Sequence, residues 1–233
     1  MARRSLDVHG AFVLPLLRES VVVLDLGCGP GAITIDLARR VPQGRALGWD
    51  REKAQIDTAR EAAAAAGVTN IEFVVGDVGD LKLPAASVDL VFSHALFEHL
   101  PDPIQVLRQI QRLLRSGGHV ALRSPDWGGF LLYPETEACS QAIAAYEALQ
   151  RRNGGDTHAG RKLAAWLSEA GFSEPRLSAS FEIYPSAGMI ADYLARQLEA
   201  AGAEPHAKSL REWAQAPHAV FAQAWCEAIA PKL

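Results

Sequence analysis

Hydrophobic positions in the first half of the chain fall into short continuous runs separated by amphipathic stretches. Val21–Leu26 is one such run, as expected of a strand buried on both faces. Ala32–Arg40 follows a helical period, Ala46–Trp49 is a second short strand ending at Asp50, and Arg51–Ala66 is an alanine-rich helix stopped by Gly67. Ile71–Val75 and Val88–Ser93 read as strands, Pro103–Leu114 as a helix and His119–Arg123 as a fifth strand. Arg115-Ser116-Gly117-Gly118 reads as a helix stop and turn. This alternation predicts right-handed crossovers and an α/β, doubly wound, Rossmann-like sheet, mostly parallel, with helices on both faces. Ligands of such sheets bind beyond the carboxyl ends of the strands.

The second half has a different pattern. Pro134–Arg152 and Arg161–Ala170 have helical spacing, Arg176–Tyr184 alternates as a strand, and Ala187–Ala201 and Ser209–Gln215 are helical again. Val220–Ile229 fits both periods and is read as a closing antiparallel edge strand, the seventh strand of the sheet. Helices inserted in this C-terminal half, between Ala187 and Gln215, would form a lid.

Composition narrows the function classes. With 233 residues the chain can bury a sizeable core, and 49% hydrophobic and 21% charged residues are ordinary for a globular protein. The formal net charge of -4 argues against nucleic acid as a partner, and Arg3 and Arg4 are too few to reverse it. Three widely spaced cysteines, Cys28, Cys139 and Cys226, suggest neither a disulfide framework nor a zinc knuckle. No apolar run approaches the ~20 residues of a membrane span and no signal-peptide core forms, so a cytoplasmic location is expected.

Polar residues cluster where the predicted sheet would bind a ligand: Asp25, Asp50, Asp77 and Ser93 each lie at or just past a strand end. Between strand and helix runs Val23-Leu24-Asp25-Leu26-Gly27-Cys28-Gly29-Pro30-Gly31. Gly27, Gly29 and Ala32 also satisfy the loose dinucleotide fingerprint. Asp25 discriminates between ligands. At the strand end, facing the crevice, its carboxylate would repel a pyrophosphate and attract a cationic, phosphate-free ligand such as S-adenosylmethionine, which carries a sulfonium and an amino group. Asp50 suits ribose hydroxyls, and Asp77 an adenine amino group. No lysine–serine/threonine pair closes the loop, which excludes a P-loop. Cys28 has no base beside it in sequence and reads as a small packing residue.

These residues resemble the class I S-adenosylmethionine-dependent methyltransferases. Residues 23–31 are similar to their first motif. Gly76-Asp77-Val78, Leu83-Pro84 and Val88-Asp89-Leu90-Val91 resemble the second block. Phe97-Glu98-His99-Leu100-Pro101-Asp102-Pro103 and Leu113-Leu114-Arg115-Ser116-Gly117-Gly118 resemble the later ones. Within the class, the chain is similar to the branch named after ubiquinone and menaquinone biosynthesis, including Asn153-Gly154-Gly155-Asp156, Gly160-Arg161-Lys162-Leu163 and Ala170-Gly171-Phe172. Ser5–Leu17 resembles its short N-terminal helix, so a complete chain is expected; Ser116 departs from the usual proline before the paired glycines. The resemblance implies a methyl donor, S-adenosyl-L-methionine, leaving as S-adenosyl-L-homocysteine. It implies that Gly27, Cys28 and Gly29 lie along the methionine part, with Ser93 at its end. Asp50 would bind ribose, Asp77 and Val78 adenine, and Arg51 would pack beside the adenine.

The resemblance also implies a single domain over 1–233, with 5–125 as the cofactor-binding half and 126–233 as the substrate and lid half, working as monomer or homodimer on a small molecule. Methyl transfer needs no protonation of the leaving group, so a base is required only where the acceptor must lose a proton. His94 and His158 are the named candidates, with His9 and His99 behind them. His94, Glu98 and His99 lack a fourth ligand, so no metal is expected. Asp126, Trp127, Phe130 and Tyr133 are expected to line the acceptor pocket. Two alternatives are a nicotinamide-dependent oxidoreductase, against which Asp25 argues, and a non-catalytic cofactor-binding protein.

Overall fold

The computed structural model describes residues 4–232, so Arg3 lies outside the described residues. β1 (Val22–Leu26), β2 (Arg45–Asp50), β3 (Ile71–Val75), β4 (Val88–His94), β5 (Leu114–Tyr133), β6 (Arg176–Ile183) and β7 (Val220–Pro231) form one sheet in the order β3-β2-β1-β4-β5-β7-β6. The first five are parallel; β7 runs antiparallel between β5 and β6. The fold is therefore the expected α/β, seven-stranded, mostly parallel Rossmann-like sheet.

Alternation along the strands sends successive side chains to opposite faces. Val23, Leu90 and Phe92 join one core with α1 (Leu6–His9) and α2 (Ala32–Arg40). Leu24, Leu26 and Val91 join the other, where α4 (Pro103–Leu113) and α6 (Ala159–Glu169) supply Leu107, Ile110, Leu163 and Leu167. α3 (Lys53–Ala65) packs Ile56 and Ala59 against Phe73 of β3. α4 starts at the Asp102-Pro103 boundary, where the Asp102 carboxylate accepts the Gln105 N–H at 2.9 Å and proline occupies the first turn. A third core, built from α5 (Glu137–Arg152), α7 (Ala187–Ala200) and α8 (Glu204–Trp213), closes over Trp127 and Phe221.

Four expectations are corrected. The region read as a turn and a five-residue strand is one 20-residue β5, with a register irregularity between Val88 and Leu90 of β4 and a bulge between Asp126 and Phe130. Its far half is held by β7, which is distant in sequence. β7 is not the edge: it lies inside the sheet with Ala222, Ala228 and Ala230 fully buried, and the largely exposed β6 is the edge. α8 begins at Glu204, five residues before the predicted start, because Pro205 sits in its first turn and Ala207, Leu210 and Trp213 form its buried stripe. The N-terminal helix breaks at Gly10 into the four-residue α1 and a 3-10 turn over Ala11–Leu16.

Gly31 has φ +79°, and a Cβ there would meet Ala59 Cβ and Phe73 Cζ, both at 2.8 Å. Gly31→Ala is expected to cost on the order of 2 kcal/mol through backbone strain and overpacking. A lowered urea midpoint at unchanged slope would show it; an unchanged midpoint would mean that the α2–α3 contact is slack.

Candidate functional site

The strand order reverses beside β1, whose neighbours are β2 on one side and β4 on the other, so a crevice opens beyond their carboxyl ends. The loop after β1 is anchored there: the N–H groups of Gly27 and Cys28 both donate to the Trp49 carbonyl, at 2.8 and 3.2 Å. Gly29 has φ +52°, and a Cβ built on it would touch nothing within 4 Å, so its outer side is open. Its N–H donates to Asp50 Oδ2 at 2.9 Å, while Asp50 Oδ1 accepts the Glu52 N–H at 2.9 Å. The protein's own carboxylate therefore fills the loop's anion-binding position.

Asp25 lies beneath this loop and is enclosed, with 3% exposure. Thr34 Oγ1, in the first turn of α2, donates to its Oδ2 at 2.6 Å. Burial raises the Asp25 pKa to about 7, opposed by the Thr34 bond and reinforced by the charge of Asp50. Ser93 is also buried and its hydroxyl donates to the Leu26 carbonyl at 3.0 Å, which ties β4 to β1 at the crevice. Cys28 is half-buried, and burial, with Asp25 and Asp50 nearby, pushes its thiol pKa up, so it is a neutral packing group. Asp77 is exposed, with Oδ1 accepting the Gly79 N–H at 2.6 Å; Val78 packs on the core and Arg51 projects outward.

A second space of about 140 Å³ lies beside the crevice. It is floored by Ala95, Glu98 and Pro125, and walled by Trp127, Tyr146 and Trp225. Leu96, from the turn that carries Glu98, is also the closest neighbour of Gly27, at 3.2 Å from its Cβ position, so the cavity adjoins the glycine loop. The Trp127 and Tyr146 rings lie 4.9 Å apart. A larger space of about 530 Å³, between the N-terminal segment, the end of β6 and α7, shares Arg4, Tyr184, Tyr193 and Trp225 with it.

The remaining sequence candidates sort by position. Trp127 lines the cavity. Phe130 stacks on Phe221 at 5.6 Å as part of the helical core, and Tyr133 stands 60% exposed outside the cavity. Asp126 is buried; burial acts to raise its pKa, but the Arg161 side chain and the N–H groups of Arg161 and Gly128 outweigh this and hold it low. It thereby fastens α6 to the β5 bulge. His94 is 4% exposed, between Trp225 at 4.8 Å and His9 at 5.3 Å. Arg123 Nη1, which can only donate, lies 3.4 Å from its Nδ1, so the ring proton is on Nε2, which has no partner among the described residues. Burial, with the charges of Arg4 and Arg123 and the neighbouring His9, lowers its pKa well below the ordinary value. His158 is half-buried at the start of α6, its ring against Gly128.

Sequence reasoning missed Glu98 as a site residue. It is buried, accepts from Ser124 Oγ at 3.0 Å, and burial pushes its pKa up to about 7 against that bond and Arg4. The available signal was an acidic residue in the turn after the fourth strand. Its enclosure by β5, α5 and the segment at Asp156 has no local trace in the sequence.

Because the folded Asp25 pKa, about 7, lies above the ordinary 3.8 of an aspartate, the native state keeps this proton at intermediate pH where the unfolded chain loses it. Its contribution to stability is full below about pH 4 and gone by about pH 7. Asp25→Asn keeps an acceptor for Thr34 and removes that slope, so the variant is expected to be the more stable one at about pH 8. Melting curves of both proteins from about pH 5 to 8 check this, and parallel curves would overturn it.

Residues 17–171 match a family model described as a methyltransferase domain. The chain is 33% identical over 192 residues to the aklanonic acid methyltransferase DauC of a Streptomyces species, covering 77% of this chain and 84% of that protein. It is 27% identical to an uncharacterized methyltransferase of Schizosaccharomyces pombe, covering 77% and 66%. Phosphoethanolamine N-methyltransferase 2 of Haemonchus contortus, solved with phosphomonomethylethanolamine and S-adenosylhomocysteine, has the same fold, with a TM-score of 0.63 at 16% identity over 95% of this chain and 52% of that one. The chain spans 66%, 45% and 41% of the length of three of the curated relatives that it matches.

Proposed function

The chain belongs to the methyltransferase-domain family, and we propose that it transfers a methyl group from S-adenosylmethionine to a small-molecule acceptor. One observation carries the choice of cofactor. The Gly29 N–H, where a dinucleotide site would receive pyrophosphate, already donates to Asp50. A phosphate would have to displace a carboxylate and then sit beside it and above Asp25. A sulfonium and an ammonium meet the same charges favourably. This disfavours the nicotinamide alternative.

In this reading Gly27, Cys28 and Gly29 run along the methionine part and Asp50 takes the ribose hydroxyls. Asp77 and Val78 flank the adenine, with Arg51 beside it, and Ser93 and Asp25 brace the loop from below. S-adenosylmethionine supplies an activated methyl group whose sulfur leaves as a neutral thioether. The protein's part is to hold the acceptor in line and to exclude water. The cavity at Glu98 and Trp127 is the acceptor site, and α5, α7 and α8 form its cover. Residues 1–233 act as one domain, since β5 and β7 tie the halves 5–125 and 126–233 through a shared ladder. A monomer or homodimer, no nucleic acid partner and a cytoplasmic setting complete the reading, supported by the net charge of -4 and three unpaired cysteines. Among the described residues, no helix is long and apolar enough to cross a membrane.

S-adenosylhomocysteine is expected to raise the melting temperature, by about 2.7 kcal/mol of added stability at a hundredfold excess over Kd. Asp50→Ala is expected to abolish the shift. An unchanged wild-type melting curve at saturating S-adenosylhomocysteine, with a shift produced by NAD instead, would overturn the reading.

A further inference from the structure

We propose that Glu98 is the general base of the reaction and that the acceptor is the hydroxyl of a planar, phenol-like molecule held between the aromatic walls of the cavity. The proposal rests on the S-adenosylmethionine reading above and adds the acceptor class and the residue that takes its proton.

Five aromatic side chains, Trp127, Tyr146, Tyr184, Tyr193 and Trp225, line the cavity, together with polar groups that include Arg4, Glu98 and Asp156. Two polar atoms of its wall residues, Gln223 Oε1 and Trp225 Nε1, are buried without partners among the described residues. The amide orientation is fixed, because Gln223 Nε2 donates to the carbonyls of Asp126, at 2.9 Å, and Ala224, at 3.1 Å, which can only accept. Oε1 is therefore a free acceptor and the indole N–H a free donor. Gln223 is 1% exposed and Trp225 6%, and residues two apart on β7 share one face. Unpartnered groups this deeply buried are costly, and a ligand carrying one donor and one acceptor would relieve both.

The acceptor atom follows from what Glu98 is needed for. A neutral arylamine attacks through its lone pair and sheds a proton afterwards, and a carboxylate needs no base. A carboxylate would also meet Glu98 and Asp156, which line the same space. A phenol must lose its proton as it attacks. Phenols ionise near pH ~10, so a carboxyl at about 7 is a far closer match than an ordinary glutamate. Arg4, also in the wall, favours the developing phenolate. The charged and titratable groups around Glu98 are Arg4 from the N-terminal segment, His99 beside it at 3.9 Å, Tyr146 of α5, and Asp156, whose N–H donates to the Glu98 carbonyl at 2.7 Å. Ser124 Oγ holds Oε2, which leaves Oε1 for the incoming hydroxyl. In the step, the acceptor oxygen bonds to the methyl carbon as the carbon–sulfur bond breaks and sulfur keeps the electron pair. The hydroxyl proton passes to Glu98, so one sulfonium and one carboxylate give a neutral thioether and a neutral carboxyl, and the carboxyl releases that proton to water after the transfer.

Naphthols, naphthylamines and naphthoic acids present one planar body with three acceptor atoms, and methylation from labelled S-adenosylmethionine distinguishes them. Naphthols are expected to be the substrates. The wild-type rate should rise tenfold per pH unit up to about 7 and then level off. Glu98→Gln keeps the size and the Ser124 bond. It should bind S-adenosylhomocysteine and naphthol within about threefold of wild type by calorimetry and lose about 100-fold or more in kcat. Its rate should climb with pH without levelling at 7, following the free naphtholate. Methylation of the amines or acids in place of naphthols, no turnover of any naphthol by a wild type that binds S-adenosylhomocysteine, or a Gln variant with wild-type kcat and pH profile would each overturn the proposal. Failure of the wild type to bind S-adenosylhomocysteine would overturn the underlying reading instead.

Discussion

The strand order reverses at β1, and the site depends on that reversal. With β2 on one flank and β4 on the other, the crossovers leave to opposite faces of the sheet and no connection covers the carboxyl ends between them. The glycine loop after β1 and the turn after β4 are thereby set side by side, close enough for Leu96 to pack on Gly27. The glycine loop and the turn that carries Glu98 are neighbours because two strands distant in sequence are neighbours.

That arrangement also places two enclosed carboxyl groups near one another in function: Asp25 under the loop and Glu98 in the cavity, both pushed up to about 7 by burial. Burying such groups costs stability, and most folds avoid it. Here the cost coincides with the chemistry proposed. A cationic ligand over Asp25 would restore its ordinary ionisation, and a base poised near neutrality suits an acceptor that must lose a proton. His94, the histidine nearest the crevice by sequence, is held neutral among cations and aromatic rings, and its free nitrogen lies in the packing between β4 and β7.

The two halves of the chain are tied to family in different degrees. The family model ends at residue 171, before β6, α7, α8 and β7 begin. Those later elements and the link between β6 and α7 carry Gln223, Trp225, Tyr193 and Tyr184, four of the residues around the cavity. The glycine loop thus sits in the part of the chain that the family model matches, and the groups proposed to choose an acceptor sit beyond it.

The strand–helix alternation over residues 21–123 was legible in the sequence almost residue by residue, because buried parallel strands are written as local apolar runs and glycine loops as local punctuation. Asp25, Asp50 and Ser93 could be placed at strand ends for the same reason, but Asp25, expected to face the crevice, is enclosed beneath the loop by Thr34. Pairing decided the rest. The length of β5 and the interior position of β7 depend on an antiparallel ladder between segments about a hundred residues apart, which no window of sequence contains. The same ladder turns Asp126 towards Arg161, leaves Tyr133 outside and closes the wall around Glu98. Sequence alone determined the cofactor loop, since its shape comes from backbone freedom and a nearby carboxylate. Only the tertiary structure decided which acid is buried in the cavity beside Trp127, because burial is a property of what folds over a residue and not of the residue itself.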